Sequence, residues 1–239
     1  MTKSFVAPTT YFLQEGRENL ADCLKVAFQA SLQQGIPKIV IFTAYGDGVK
    51  LAIENFCSQP EYKHISLVAV TFPAGKSFTD ANKEPIGVEI APEVSDLMQT
   101  HHVPLVRAHL PFDSVEPGAA RQTTVGRGFN LLGETLNMFC GSMSLCVQAV
   151  ALACDAGYVD IGEHVVSLTS DTAILATAAT TRMMLSRLIV REILCKPAIL
   201  TIGRKETTPL GLDESADSHL REKKQLAIAR VSKGPPKKK

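Results

Sequence analysis

Net charge is almost absent from this chain, where 25 Lys and Arg face 24 Asp and Glu over 239 residues. A general nucleic-acid surface needs a basic excess, so nucleic acid is not an expected partner. One segment breaks the balance. From Arg221 to Lys239 basic residues recur, and Gly-Pro-Pro-Lys-Lys-Lys closes the sequence. That composition reads as a solvated, flexible tail over residues 206–239, with a basic patch for an acidic partner as the alternative. Cys-x-x-Cys pairs are missing too. The six cysteines, at 23, 57, 140, 146, 154 and 195, follow no secretory leader, which makes the reducing cytoplasm the expected setting. Apolar runs of membrane length are also lacking, because Gln148, Asp155 and Arg187 interrupt the longest candidates; no membrane association is expected. The glycine-bearing stretch 43–48 lacks the spacing of a dinucleotide fingerprint and of a Walker loop, which would need Gly-Lys-Ser/Thr. His101-His102 has no carboxylate or cysteine at ligand spacing, so no metal site is expected.

What is present is alternation. Leu20, Cys23, Leu24, Ala27, Phe28 and Ser31 form a helical stripe within 17–34, ended by Gly35. The spacing then predicts strand 38–43, helix 49–57, strand 64–71, a Gly/Lys/Asp-rich loop over 72–87 and helix 92–101. A third strand over 104–109 follows, and 112–127 reads as a surface excursion. Leu132, Leu136, Phe139, Met143, Cys146, Val150 and Cys154 predict one long buried helix ending at Gly157. Apolar runs 165–169 and 173–179, a helix over 187–195 and a short run, 198–202, complete the ordered part. This order predicts a single α/β domain over residues 1–205, a three-layer α/β/α sandwich around a mainly parallel sheet. Ser170-Asp171-Thr172 is too short for a helical crossover, so the strand after it is expected to run antiparallel and the sheet to be mixed. The buried-looking helix pattern leaves room for a homo-oligomer.

Three loops carry the candidate chemistry. In Thr43-Ala44-Tyr45-Gly46-Asp47-Gly48 a β-branched run ends in a hydroxyl and two glycines, and a helix follows at once. Such a junction collects free N–H groups and suits a phosphate-sized anion, unless Asp47 caps its own helix. Thr71, Gly75, Lys76 and Ser77 place hydroxyls, a glycine and a cation after the second strand; a solvated connection is the plain alternative. Thr169-Ser170-Asp171-Thr172 sets a carboxylate where it can meet a ligand hydroxyl, or is simply a reverse turn. Carboxyl ends of neighbouring parallel strands share one crevice, which unites these loops. Catalytic residues are not assignable. Cys140 and His109 are the one nucleophile and base to consider, nothing in the sequence brings them together, and the cysteines read as packing residues. Arg182 is either an anion partner or a strand-end charge.

Several stretches, taken in order, resemble the stand-alone relatives of the pyruvate kinase carboxyl-terminal domain, the pyruvate kinase alpha/beta domain proteins. They are Tyr11-Phe12 with Gly16-Arg17-Glu18-Asn19, Ile39 to Gly48, Val70-Thr71 with Gly75 and Phe78, and Ala91-Pro92-Glu93-Val94. Val106-Arg107-Ala108-His109, Cys146-Val147-Gln148-Ala149, Ala153 to Gly157 and Asp171-Thr172-Ala173 continue the likeness, which spans roughly residues 10 to 203. The resemblance implies a mixed five-stranded sheet of order 3-2-1-4-5 with the last strand antiparallel. It implies a phosphate site at the first strand–helix loop and, from the stand-alone relatives, FMN at the strand carboxyl ends. The matching positions are Thr43, Tyr45, Gly46, Asp47, Thr71, Gly75, Ser77, Ser170, Asp171 and Thr172. Pyruvate kinase activity is not expected, because no part of the sequence reads as the catalytic barrel. The chain departs from the family at Ala44, where a second hydroxyl is usual, and at Gln148, where Glu is usual. The expected function is thus binding of FMN or another phosphorylated small molecule. The alternatives are an enzyme using Lys76, His109 or a cysteine on a phosphorylated metabolite, and an interaction protein with a basic tail.

Overall fold

The β-branched runs pair with one another in the computed structural model, which describes residues 4–79, 84–113, 124–198, 201–202 and 205–206. β1 is Thr10–Phe12, α1 Leu20–Gln34, β2 Lys38–Phe42, α2 Asp47–Ala52 and β3 Ser66–Thr71. A small hairpin, β4 Ser77–Thr79 and β5 Pro85–Gly87, precedes α3 Pro92–Thr100 and β6 Leu105–Arg107. Then come α4 Thr124–Asn137, α5 Met143–Asp155, β7 His164–Leu168, β8 Ala173–Thr177, α6 Met184–Arg187 and β9 Ile189–Pro197, with β10 Thr201–Ile202 and β11 Lys205–Glu206 as a short hairpin. The expected tail, residues 206–239, lies outside the described residues apart from Glu206, as do 114–123 of the expected excursion.

The main sheet has seven strands in the order β1-β9-β8-β7-β2-β3-β6. β6, β3, β2 and β7 are mutually parallel where they pair, β8 runs antiparallel to β7, and β9 antiparallel to β8. The strands expected from the sequence occupy consecutive places, β6-β3-β2-β7-β8, but the sheet is not five-stranded. Beyond β8 it continues through β9 to β1, which pairs parallel to β9. The segment expected as a helix over 187–195 is therefore a strand, preceded by the single turn α6. Its Leu188, Ile189, Val190, Ile193 and Leu194 suit a pleated surface, and pairing there covers the edge of β8. Local apolar spacing does not distinguish a short helix from a bulged strand, and the two register shifts between β8 and β9 blur the period further.

Pleating sorts the residues onto two cores. Val40, Phe42, Val68 and Val70 face one side with α5, which lies across β2, β3, β7 and β8. Ile39, Ile41, Leu67 and Ala69 face the other with α1, which crosses β2, β7, β8 and β9, and with α2 and α3. The expected long helix is in fact two, α4 and α5, separated by Met138–Ser142. Gly141 and Ser142 interrupt the helix where Gly141 passes close to the Glu15 side chain; a Cβ there would lie 3.2 Å from Glu15 Oε1. Leu132 and Leu136 of α4 pack on the same core as α5, so the two helices read as one stripe. Among the described residues no helix is long and apolar enough to cross a membrane.

Phe28 anchors the α1 core, fully buried, stacked on Phe56 at 4.4 Å and edge-on to Tyr62 at 5.3 Å. Phe28→Ala is expected to cost about 3–5 kcal/mol in urea unfolding. Leu185→Ala, at a side chain 76% exposed, should stay within about 0.5 kcal/mol. Similar losses for both would contradict this placement of the core.

Candidate functional site

The sheet order reverses between β2 and β7. From β2 the chain builds outward through α2 to β3 and through α3 to β6, then returns by α4 and α5 on the opposite face to place β7 on the other side of β2. The β2–α2 loop thus departs to one face while the chain reaches β7 from the other and leaves it by a tight turn to β8, which opens a crevice at the carboxyl ends of β2 and β7. A cleft of about 260 Å³ lies there. The β2–α2 loop supplies Thr43, Ala44, Tyr45, Asp47 and Gly48, and the β7–β8 turn supplies Thr169 and Ser170. Phe42, Phe72 and Phe78 form an aromatic side, and Arg17, Leu20, Ser142 and Leu145 come from the starts of α1 and α5.

Inside the first loop, the Gly46 N–H donates to Thr43 Oγ1 at 2.9 Å, so the hydroxyl already holds the loop closed. Gly46 sits at φ 93°, and a Cβ there would lie 2.7 Å from Val94 Cγ1. Its glycine is required by packing against α3, not by a ligand, and Gly46 is not on the cleft wall. Asp47 makes no side-chain cap; it pairs with Arg17, whose guanidinium stands 5.4 Å from the Tyr45 ring centre. The first-turn N–H groups of α2 have no acceptor within the helix, and Asp47 and Gly48 of that turn line the cleft.

The second loop contributes differently from its polar sequence. Gly75 turns the chain at φ 77°, Ser77 lies exposed on β4, and Thr71 is buried away from the cleft. Lys76 reaches Asp113 at 3.8 Å and stands 5.8 and 5.9 Å from the ring centres of Phe72 and Phe78. It is the two phenylalanines that face the cleft.

In the third loop Thr169 and Ser170 line the cleft, whereas Asp171 and Thr172 support them from behind. Thr169 Oγ1 is buried beside the Cys146 thiol, with no well-aligned hydrogen bond among the described residues. Asp171, only 4% exposed, accepts the Gly16 N–H on Oδ2 and the Thr172 hydroxyl on Oδ1, each at 3.0 Å. Because the Thr172 hydroxyl proton is directed at Asp171, Cys140 Sγ, 3.3 Å from Thr172 Oγ1, is the donor of that contact. Cys23 donates to the Thr169 carbonyl and Cys146 to the Thr172 carbonyl, both at 3.5 Å. Thiols thus brace the underside of the turn. The adjoining Cys195 thiol and burial push Cys23 well above the usual thiol range, and burial does the same for Cys146 and raises Cys140. These are packing and hydrogen-bonding cysteines, not activated nucleophiles.

His109 approaches the Asp113 carbonyl at 3.1 Å while Cys140 is engaged with Thr172, so the two form no pair. Arg182 lies in the turn Thr181–Met183, beyond the end of β8 that pairs with the start of β7, at the opposite end of the sheet from the cleft. Among the described residues no group of three or more His, Cys, Asp or Glu is placed to hold a metal. Arg17, Leu20, Phe42, Phe72, Phe78, Ser142, Leu145 and Thr169 were not among the residues expected to bind. One of them carried a readable signal: Arg17 sits at the amino end of a helix, where the dipole disfavours a cation, so another role holds it there. No protein-family model matches the chain.

The thiols yield a direct check. All six are free, and Cys57 alone is more than marginally accessible, with burial raising its pKa. A thiol reagent at pH 8 should titrate one cysteine in the native protein, more slowly than an ordinary thiol because less of it is thiolate, and all six in denaturant. The rate at Cys57 should still be climbing above pH 9, past the ordinary thiol pKa of about 8.5. Rapid reaction of a second native thiol would show the turn to be less enclosed than described.

Proposed function

We propose that this protein binds a phosphate-bearing small molecule in the β2–β7 cleft, and that FMN is the ligand, as the resemblance to pyruvate kinase alpha/beta domain proteins implies. One observation carries the reading: the cleft lies at the sheet's point of reversal and gathers Arg17, Ser142 and Ser170 on its wall. These donors suit an anion. Asp171 tethers the Gly16 backbone and so positions the Arg17 that follows it.

The cleft is slightly smaller than the ~300 Å³ at which enclosed ligand sites begin, so a flavin-sized ligand extends past its rim, over Phe78. The central strand order β6-β3-β2-β7-β8, with β8 antiparallel, agrees with the order that the resemblance implies. Binding is favoured over catalysis because, among the described residues, the cleft wall carries no His, Cys or Lys and a single carboxylate, Asp47. Lys76, His109 and the cysteines, on which an enzyme reading depends, do not line it. Six free cysteines suit the cytoplasmic setting that belongs to the same reading.

Titration of the full chain with FMN, followed by quenching of flavin fluorescence, tests this. Saturable binding is expected with Kd on the order of micromolar, and Arg17→Ala should weaken it roughly tenfold while leaving riboflavin, which lacks the phosphate, unaffected. Absence of quenching at protein concentrations up to about 1 mM would remove the flavin.

A further inference from the structure

The cleft has two chemically different ends, and only the polar one is explained by a phosphate. The other is a row of three phenylalanines in successive edge-to-face contact. Phe42 and Phe72 have ring centres 4.9 Å apart at 85°, and Phe72 and Phe78 5.2 Å apart at 84°. Phe42 and Phe72 are buried at the ends of β2 and β3, but Phe78 is 41% exposed on the β4–β5 hairpin, which pairs with itself and not with the main sheet. An exposed phenyl ring on a cleft wall leaves apolar surface in water unless something flat covers it. Lys76 stands near the rings of Phe72 and Phe78 and pairs with Asp113.

We propose that Phe78, backed by Phe72 and Phe42, is a ring-binding subsite that selects ligands whose phosphate is carried on a planar aromatic system. This rests on the reading that the cleft takes a phosphate-bearing ligand. The physical reason for selection is asymmetric. A flat heterocycle stacks on Phe78 and buries it, and the perpendicular Phe72 behind it holds the platform in place. A sugar phosphate of the same charge would lay hydroxyl groups against three phenyl rings, losing hydration with no partner in return. Leu20 and Leu145 extend the apolar lining, whereas Arg17, Ser142, Thr169 and Ser170 gather the polar groups. Phe78 is therefore the specificity-determining residue of the site, and the anion-binding groups are shared by every phosphorylated ligand.

Calorimetric titrations of the full chain with FMN, AMP and ribose 5-phosphate separate the two levels of inference. The wild-type protein should bind at least one of the two aromatic phosphates about tenfold or more tighter than ribose 5-phosphate, the scale of a single ring stack. Phe78→Ala should erase most of that preference and leave ribose 5-phosphate unchanged. Phe78→Trp should keep the preference, and Phe78→Leu, which retains an apolar side chain and so guards against a folding defect, should lose it. Equal wild-type affinity for all three ligands, or a Phe78→Leu protein with full preference, overturns the ring subsite while the phosphate reading stands. Binding of none of the three by the wild-type protein overturns both.

Discussion

The parallel pairing of β2 with β7 is the contact on which the rest of the molecule depends. Ile39, Val40 and Ile41 sit opposite Val166, Ser167 and Leu168, all of them buried. This one ladder joins segments more than a hundred residues apart, and it does so where the chain changes direction across the sheet. Because the connection leaving β2 runs to one face while β7 is entered from the other and left by a tight turn to β8, a gap opens at the two strand ends. Displacing β2 by one residue would turn Ile39 and Ile41 from the α1 core toward α5 and dismantle both cores at once.

The walls of that gap are stiffened from below by small polar contacts among buried residues. The Asp171 carboxylate is satisfied by a backbone N–H from the loop before α1 and by its neighbour's hydroxyl, and thiols on α1 and α5 donate to the turn's carbonyls. Ser167 on β7 donates to the Cys146 carbonyl at 2.9 Å, which links the same turn's strand to α5. Gln148 serves a parallel purpose farther along α5, where its Oε1 accepts the Phe112 N–H at 2.7 Å and its amide donates to the Ser144 carbonyl. A glutamate here would keep the first contact and set an oxygen against a carbonyl in the second, which explains why an amide suits this chain.

Much of the frame was readable in advance because it obeys local rules. The α1 stripe and its Gly35 terminator, now seen at φ 65°, the runs that became β2, β3, β6, β7 and β8, and the antiparallel return after Ser170–Thr172 each follow from spacing and turn length. The candidate site was legible in part, for a reason visible in single residues. Thr43, Ala44, Tyr45, Asp47, Gly48 and Ser170 reach the cleft because they leave the two strands that flank it. Gly46, Thr71, Gly75, Lys76, Ser77, Asp171 and Thr172 belong to the same loops but turn to packing, to solvent or to the support of a neighbour. Polarity marks a loop as suited to a ligand; it does not say which way each side chain points.

By itself the sequence determined the strand and helix alternation, the direction of the β8 return and the end of the sheet at which loops would gather, because hydrophobic period and connection length act within a few residues. Tertiary structure alone decided that 187–195 would be a strand, since the unpaired edge of β8 was there to receive it. It also decided that Arg17 would meet Tyr45 and Asp47, and that Phe42 would join Phe72 and Phe78 in one wall. Those contacts join residues whose separation along the chain carries no trace of their nearness in space, and only the closing of the sheet brings them together.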